Sequence, residues 1–301
     1  RADILEDDLF PKTRPKIHRV HAHHSSDGTI HIDAGNRNTS GLGSMFGVNH
    51  RKPVELHKGK LWHFSKEEKE HLLLATGAFT LALGLMRVGG IFSISQFSSS
   101  GIWLSILFLS MPVMLISVGP AFVLHEIGHK IIAKKYGCWA EFRADPGGLR
   151  FGLGLAALLG VVFMAPGAVM VAGIVTRRQN GHIALAGPVV NLLLFLIGIP
   201  LGGLILGLTG ADVAGTTSYI AEGGINLKPM IYDLVFFWIT ANLILGAFNM
   251  LPFGPLDGAK IKDWNEGVWF AFFSLFIGLT VLMVTGTWNA ISISVSIAGL
   301  F

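Results

Sequence analysis

Residues 102–130 read IWLSILFLSMPVMLISVGPAFVLHEIGHK. Residues 102–124 carry no charge, and about 20 apolar residues in helical form cross a bilayer. The run closes on three titratable groups, His125, Glu126 and His129. Ionisable side chains at membrane depth are expensive and mark function. The helix is expected to continue to about Tyr136, with a bend near Gly119-Pro120, because proline removes a backbone donor. Histidines at i and i+4 lie about 40° apart on one helical face, so both imidazoles reach one ion. The pattern is H-E-x-x-H. Its glutamate stands where it could take a proton from a coordinated water, whose pKa a three-ligand zinc lowers to about 7.

The whole chain fits that beginning. Of its 301 residues, 51% are hydrophobic and 14% are charged, against about 25% charged in soluble domains. This excludes an ordinary soluble enzyme, a disordered chain and a fibrous repeat. Residues 1–71 hold 12 Lys/Arg and 10 Asp/Glu, and the other 230 residues hold 11 and 9. Two regions follow: a polar, His-rich, cytoplasmic and partly disordered head (1–71), and a membrane-embedded domain (72–301). The net charge of +4 comes without a basic stripe interleaved with aromatics, so no nucleic-acid partner is expected. Cations flanking spans explain the balance. A single cysteine, Cys138, excludes a disulfide framework and a cysteine-rich zinc site. No secretory signal pattern is read at the start.

Candidate spans are 72–90, 102–124, 151–175, 183–208, 235–251 and 269–284. The third is rich in glycine and contains Ala165-Pro166-Gly167, a turn signal. If it is re-entrant, Lys130, Lys134, Lys135, Arg143, Arg150, Arg177, Arg178, Lys260 and Lys262 all fall on one side. The other side receives Asp212, Glu222, Asp233 and Lys228, with Arg87 near its surface. The positive-inside rule favours this arrangement and makes the cation-bearing side cytoplasmic. The expected fold is mainly α: a multi-pass protein with about five to six transmembrane helices, the re-entrant segment among them or apart, and a small membrane-associated β element.

A third ligand is sought among scarce carboxylates. Asp257 closes the apolar segment Phe248-Asn249-Met250-Leu251-Pro252-Phe253-Gly254-Pro255-Leu256-Asp257-Gly258. Taken alone, Asp-Gly is a common turn pair. Beside two histidines on a membrane helix, it becomes a candidate ligand.

His125–His129 on an apolar helix, followed by Asn249-x-x-Pro252 and Leu256-Asp257-Gly258, resembles the site-2 proteases, the intramembrane zinc metalloproteases. Ala186-Gly187-Pro188-Val189-Val190-Asn191 is similar to that family's helix start, which brings in Asn191. The resemblance covers about residues 72–284. It implies one Zn(2+) held by His125, His129 and Asp257, with Glu126 as catalytic base. It also implies that Asn249 hydrogen-bonds the substrate or its developing oxyanion, with Asn191 and Pro252 binding substrate or supporting the site. Many relatives carry a PDZ domain between the catalytic spans. The loop of 26 residues at 209–234 is too short for one. The implied activity is hydrolysis of peptide bonds in or near transmembrane segments of protein substrates, within the lipid bilayer.

Alternation around Trp139, Glu141 and Arg143, followed by Pro146-Gly147-Gly148, predicts a short strand and a turn. An exposed strand edge could hold an unwound substrate by β-augmentation. Nine of the twelve histidines lie in the head, four of them at 18, 21, 23 and 24. They lack finger-type spacing, and a solvated head is expected rather than a second metal site. Two rival functions use the same residues: a membrane metal-ion transporter and a non-proteolytic membrane scaffold. A general base beside the first histidine argues against the former, and an intact ligand set against the latter.

Overall fold

A serine starts the first membrane helix. The Ser65 hydroxyl accepts the N–H of Glu68 at 3.1 Å, and Glu67 and Glu68 complement the helix dipole in the first turn of α1 (Lys66–Arg87). The structure, a computed structural model, describes residues 62–164, 166–211, 218–221 and 224–301. It also describes the backbone of three head strands, β1 (His21–His24), β2 (Ile30–Asp33) and β3 (Pro53–Val54), antiparallel in that order. The rest of residues 1–61, with the partial disorder and the histidine cluster expected there, lies outside the described residues, whereas 62–71 lead into and start the first helix.

After α1 come α2 (Ser100–Ser117) and α3 (Gly119–Lys135), which read as one hydrophobic unit interrupted at Val118, with Pro120 in the first turn of α3. The interruption therefore sits where proline was expected to disturb the helix. β4 (Trp139–Ala144), α4 (Pro146–Leu159) and β5 (Gly167–Ala172) follow. The remaining helices are α5 (Arg177–Thr209), α6 (Leu227–Asn249), α7 (Asp257–Trp264), α8 (Glu266–Val284) and α9 (Ala290–Ala298). A small hairpin, β6 (Ile220–Ala221) with β7 (Gly224–Ile225), precedes α6.

Among the described residues, five helical units are long and apolar enough to cross a membrane: Lys66–Gln96, Ser100–Lys135, Arg177–Thr209, Leu227–Asn249 and Glu266–Val284. The segment expected at 151–175 does not join them. Its first part belongs to α4, whose 14 residues reach about 21 Å, short of the ~30 Å hydrocarbon core. Its last part is β5. Pro146-Gly147-Gly148 was expected to turn the chain and instead opens α4. Asp145 caps it by accepting the Gly147 N–H, and proline is favoured in a first turn, where its missing donor costs nothing. The first and fourth crossings also start earlier than expected, at Lys66 and Leu227, and α9 was not anticipated.

The sheet that accompanies the site is a two-stranded antiparallel pair, Trp139↔Ala172 through Ala144↔Gly167. Phe142 and Ala144 of β4 turn their N–H groups away from β5 and donate them to Glu68 Oε1 and His71 Nδ1 of α1, each at 3.1 Å. The edge of β4 is thus covered by side chains. The edge left for another strand is that of β5.

Helix α5 is the hub, packing against α3, α6, α7 and α9. Small residues let those helices close in, as in membrane bundles generally. A Cβ at Gly198 or Gly202 would meet Trp238 or Val235 of α6 at 2.5 Å, and one at Gly203 would meet Ile297 of α9 at 2.6 Å.

One buried ion pair fastens α1 to α3. Glu68 and Lys130 are each 1% exposed. Lys130 Nζ donates to Glu68 Oε2 and, at 2.8 Å, to the His63 carbonyl, and it lies 3.6 Å from the centre of the Phe64 ring. Removing one partner strands the other charge in a dry site. Glu68→Ala is expected to cost about 3–5 kcal/mol, and Glu68→Met with Lys130→Met much less. Thermal unfolding of the purified variants in one detergent checks the difference.

Candidate metal centre

The end of α3 presents His125, Glu126 and His129, all buried, with their metal-ligating atoms within 4.8 Å of one another. The first turn of α7 brings Asp257 to them. Its Oδ2 lies 3.3 Å from His125 Nε2 and 3.1 Å from His129 Nε2, and the two Nε2 atoms are 3.0 Å apart. Position 257 is reached by breaking the chain after α6. Pro252 lies exposed in that turn, and Gly258 is needed because a Cβ there would come within 2.2 Å of the Met250 carbonyl oxygen. Trp269 Nε1 of α8 donates to the same carbonyl at 2.9 Å, which fixes the end of α6.

The tautomers follow from the surroundings. His129 Nδ1 faces the Ile183 carbonyl oxygen at 2.7 Å, which only accepts, so Nδ1 carries the proton. His125 Nδ1 faces Asn191 Oδ1 at 2.6 Å. The orientation of that amide is set by its own nitrogen, which donates at 3.0 Å to the Ala121 carbonyl and to Asn242 Oδ1. Asn242 is set in turn by donating to the Trp238 carbonyl at 2.8 Å. Both Nε2 atoms are therefore lone-pair bearing, and both face the Asp257 carboxylate. Three electron-pair donors and no hydrogen between them form a poor hydrogen-bonding set and a good cation site. Ligand atoms about 2.0–2.1 Å from a tetrahedral zinc stand about 3.3 Å apart, and the observed 3.0–3.3 Å separations fit. A backbone carbonyl and a side-chain oxygen on the two Nδ1 atoms are the kinds of acceptor that metal-binding histidines use.

Room for the imidazoles comes from Gly187 of α5, where a Cβ would lie 2.5 Å from His129 Nε2 and 2.6 Å from His125 Nε2. Asp257 Oδ1 faces Lys260 at 3.4 Å, which leaves Oδ2 to the histidines. Glu126 points elsewhere: its Oε2 accepts the Val169 N–H of β5 at 2.9 Å. Thus the carboxylate beside the donor set also touches the open strand edge.

Of the residues named from the sequence, His125, Glu126, His129, Asp257 and Asn191 come together. Asn249 ends α6, with its Nδ2 donating to the Leu245 carbonyl at 3.1 Å. Pro252 shapes the turn. Asn242, Ile183 and Val169 were not anticipated. An asparagine inside an apolar span is a visible signal for the first, since such a polar group needs a partner. The other two contribute backbone atoms, which leave no trace in residue identity.

The family model of peptidase family M50 matches residues 113–264. A protein of Methanocaldococcus jannaschii, provisionally named a zinc metalloprotease, is 35% identical over 190 residues, covering 63% of this chain and 84% of the relative. A second protein of that organism, named a zinc metalloprotease, is 30% identical over 149 residues, 50% of this chain and 33% of its own length. One from Bacillus subtilis, also provisionally named a zinc metalloprotease, is 29% identical over 165 residues, 51% of this chain and 68% of its own. No solved structure matches. The motif helix, Asn191 and Asp257 all fall inside the matched region, and the chain belongs to peptidase family M50, the site-2 protease family.

Proposed function

We propose that the protein is an intramembrane zinc metalloprotease that hydrolyses peptide bonds in or near membrane-spanning segments of other proteins. The observation that carries this reading is the convergence of two proton-free Nε2 atoms and a carboxylate oxygen within 3.0–3.3 Å at the end of an apolar helix, with Glu126 beside them. His125, His129 and Asp257 hold the zinc. When bound, zinc supplies Lewis acidity, polarising the scissile carbonyl and acidifying a water. Glu126 accepts the proton of the attacking water and returns it to the leaving amide nitrogen, so that one carboxyl and one amine result.

The substrate must arrive unwound, because a helix spends its amides on itself. In the register of the pair, Gly167, Val169 and Val171 turn their N–H and C=O groups outward. A substrate strand paired along this edge brings a peptide bond next to Glu126. This moves the expected pairing edge from β4, which α1 covers, to β5. Asn249 has a second amide proton beyond the one given to Leu245, and offers it to the substrate or its oxyanion. Asn191 supports His125, and Pro252 supports the turn that delivers Asp257. The cation-rich end of the bundle, Lys130 to Arg178 and Lys260 to Lys262, supports a site opening and head on the cytoplasmic side.

Four measurements test this. Glu126→Gln is expected to retain one zinc per chain while cleavage of a model transmembrane substrate falls about 10²–10⁴-fold; full activity in that variant overturns the assignment of the base. Asp257→Ala is expected to lower zinc occupancy after dialysis, and an unchanged stoichiometry and affinity removes Asp257 from the ligand set. Val171→Pro deletes an outward N–H of β5; cleavage should drop with zinc content intact, and equal rates exclude pairing at that edge. Proteoliposomes loaded with a zinc dye separate the transporter reading, which requires metal flux without proteolysis.

A further inference from the structure

Helices α3 and α5 are antiparallel neighbours whose surfaces separate over part of their length. Their tight contact is at Gly128, where a Cβ would meet Val190 at 3.0 Å and the Ala186 carbonyl at 3.1 Å. From there to the α3 C-cap, Tyr136, the helices border a cavity of about 420 Å³. Ile131 and Ile132 line one wall, and Leu185 and Val189 the other. That volume lies in the range of about 300–1,000 Å³ that holds small organic ligands.

The walls are apolar and one end is not. At that end Tyr136 Oη and His182 Nδ1 are 2.5 Å apart, a bridge between the helices. Just beyond it the helices carry exposed cations on the cavity-lining faces. Lys135 is four residues after Ile131 on α3, and Arg178 is four residues before His182 on α5, the spacing that stacks side chains on one face. No ion pair joins Lys135 or Arg178 to a carboxylate among the described residues, whereas the adjacent Arg177 faces Asp263 at 3.8 Å. Two cations, a phenol and an imidazole thus crown a narrow hydrocarbon-lined groove between two membrane helices.

We propose that this groove is a site for an anionic phospholipid, with one acyl chain lying between α3 and α5 and the phosphate held by Lys135 and Arg178. The argument is charge complementarity at the end of an apolar slot. A neutral apolar ligand has no use for the cations, and a soluble anion has none for the slot. Basic pockets between membrane helices select anionic headgroups in this way. The site is distinct from the metal centre, and nothing in the proposal requires the protease reading to hold.

The test is lipid retention. The full chain, and the Glu126→Gln chain, are delipidated in detergent, mixed with equimolar phosphatidylglycerol and phosphatidylcholine, and examined by native mass spectrometry. Both chains should retain phosphatidylglycerol preferentially. Lys135→Glu with Arg178→Glu, at exposed positions that spare the fold, should lower that retention at least about tenfold. Val189→Trp, which fills the groove, should lower retention of either lipid. Inorganic phosphate alone should not displace the lipid. Equal retention of the two lipids, undiminished phosphatidylglycerol in the charge-reversed chain, or displacement by phosphate would overturn the proposal. Loss of cleavage in Glu126→Gln with lipid retained keeps the two readings apart.

Discussion

Two Nδ1 protons organise the centre of this protein. Each must be given to an acceptor, or the imidazoles rotate and their Nε2 atoms no longer share a point. Both acceptors come from α5: a backbone carbonyl at Ile183 and the side-chain oxygen of Asn191. Holding both against α3 at once demands that α3 and α5 run close and in one register. Gly187 makes the approach possible, since any side chain there would occupy the space of the imidazoles. The amide relay from Asn191 to Asn242 extends the same demand to α6. Three helices are thereby fixed relative to one another by hydrogen bonds that each have one workable direction.

Burial adds a second constraint, because a dry interior offers no partner to an unpaired amide. The β4–β5 pair satisfies it with side chains. Glu68 and His71 take the outer amides of β4, and Glu126 takes one from β5. Glu68 is itself held by Lys130, so the residue after the second histidine helps to seal the strand beside it. The result is a sheet with one edge closed by α1 and the other in contact with the carboxylate of the candidate site.

Much of this was legible in the sequence, for specific reasons. Uncharged runs of bilayer length announce helices, and His125, Glu126 and His129 stand out because they close such a run. Asp257 stands out because carboxylates are scarce after residue 71. Gly167–Ala172 was hidden inside an apolar stretch, where period and composition suit a helix as well as a strand. Pro146-Gly147-Gly148 misled because proline starts helices as readily as turns, and the deciding cap, Asp145, was one residue upstream. The carbonyl of Ile183 and the amide of Val169 had no signature at all: backbone atoms are the same at every residue, and only the fold gives them a role.

The length of α5 has a bearing on hydration. Its 33 residues extend about 50 Å, roughly 20 Å more than the hydrocarbon core is thick. Ile183 lies six residues into the helix and Asn191 fourteen, about 9 Å and 21 Å from its first residue. The histidines between these two acceptors therefore sit within that distance of the end that carries Arg177 and Arg178. Every ångström by which this end projects past the lipid tails shortens the column of water needed to wet the site. Where the surplus length lies at this end, a hydrolytic centre embedded among apolar helices becomes a shallow well rather than a deep one.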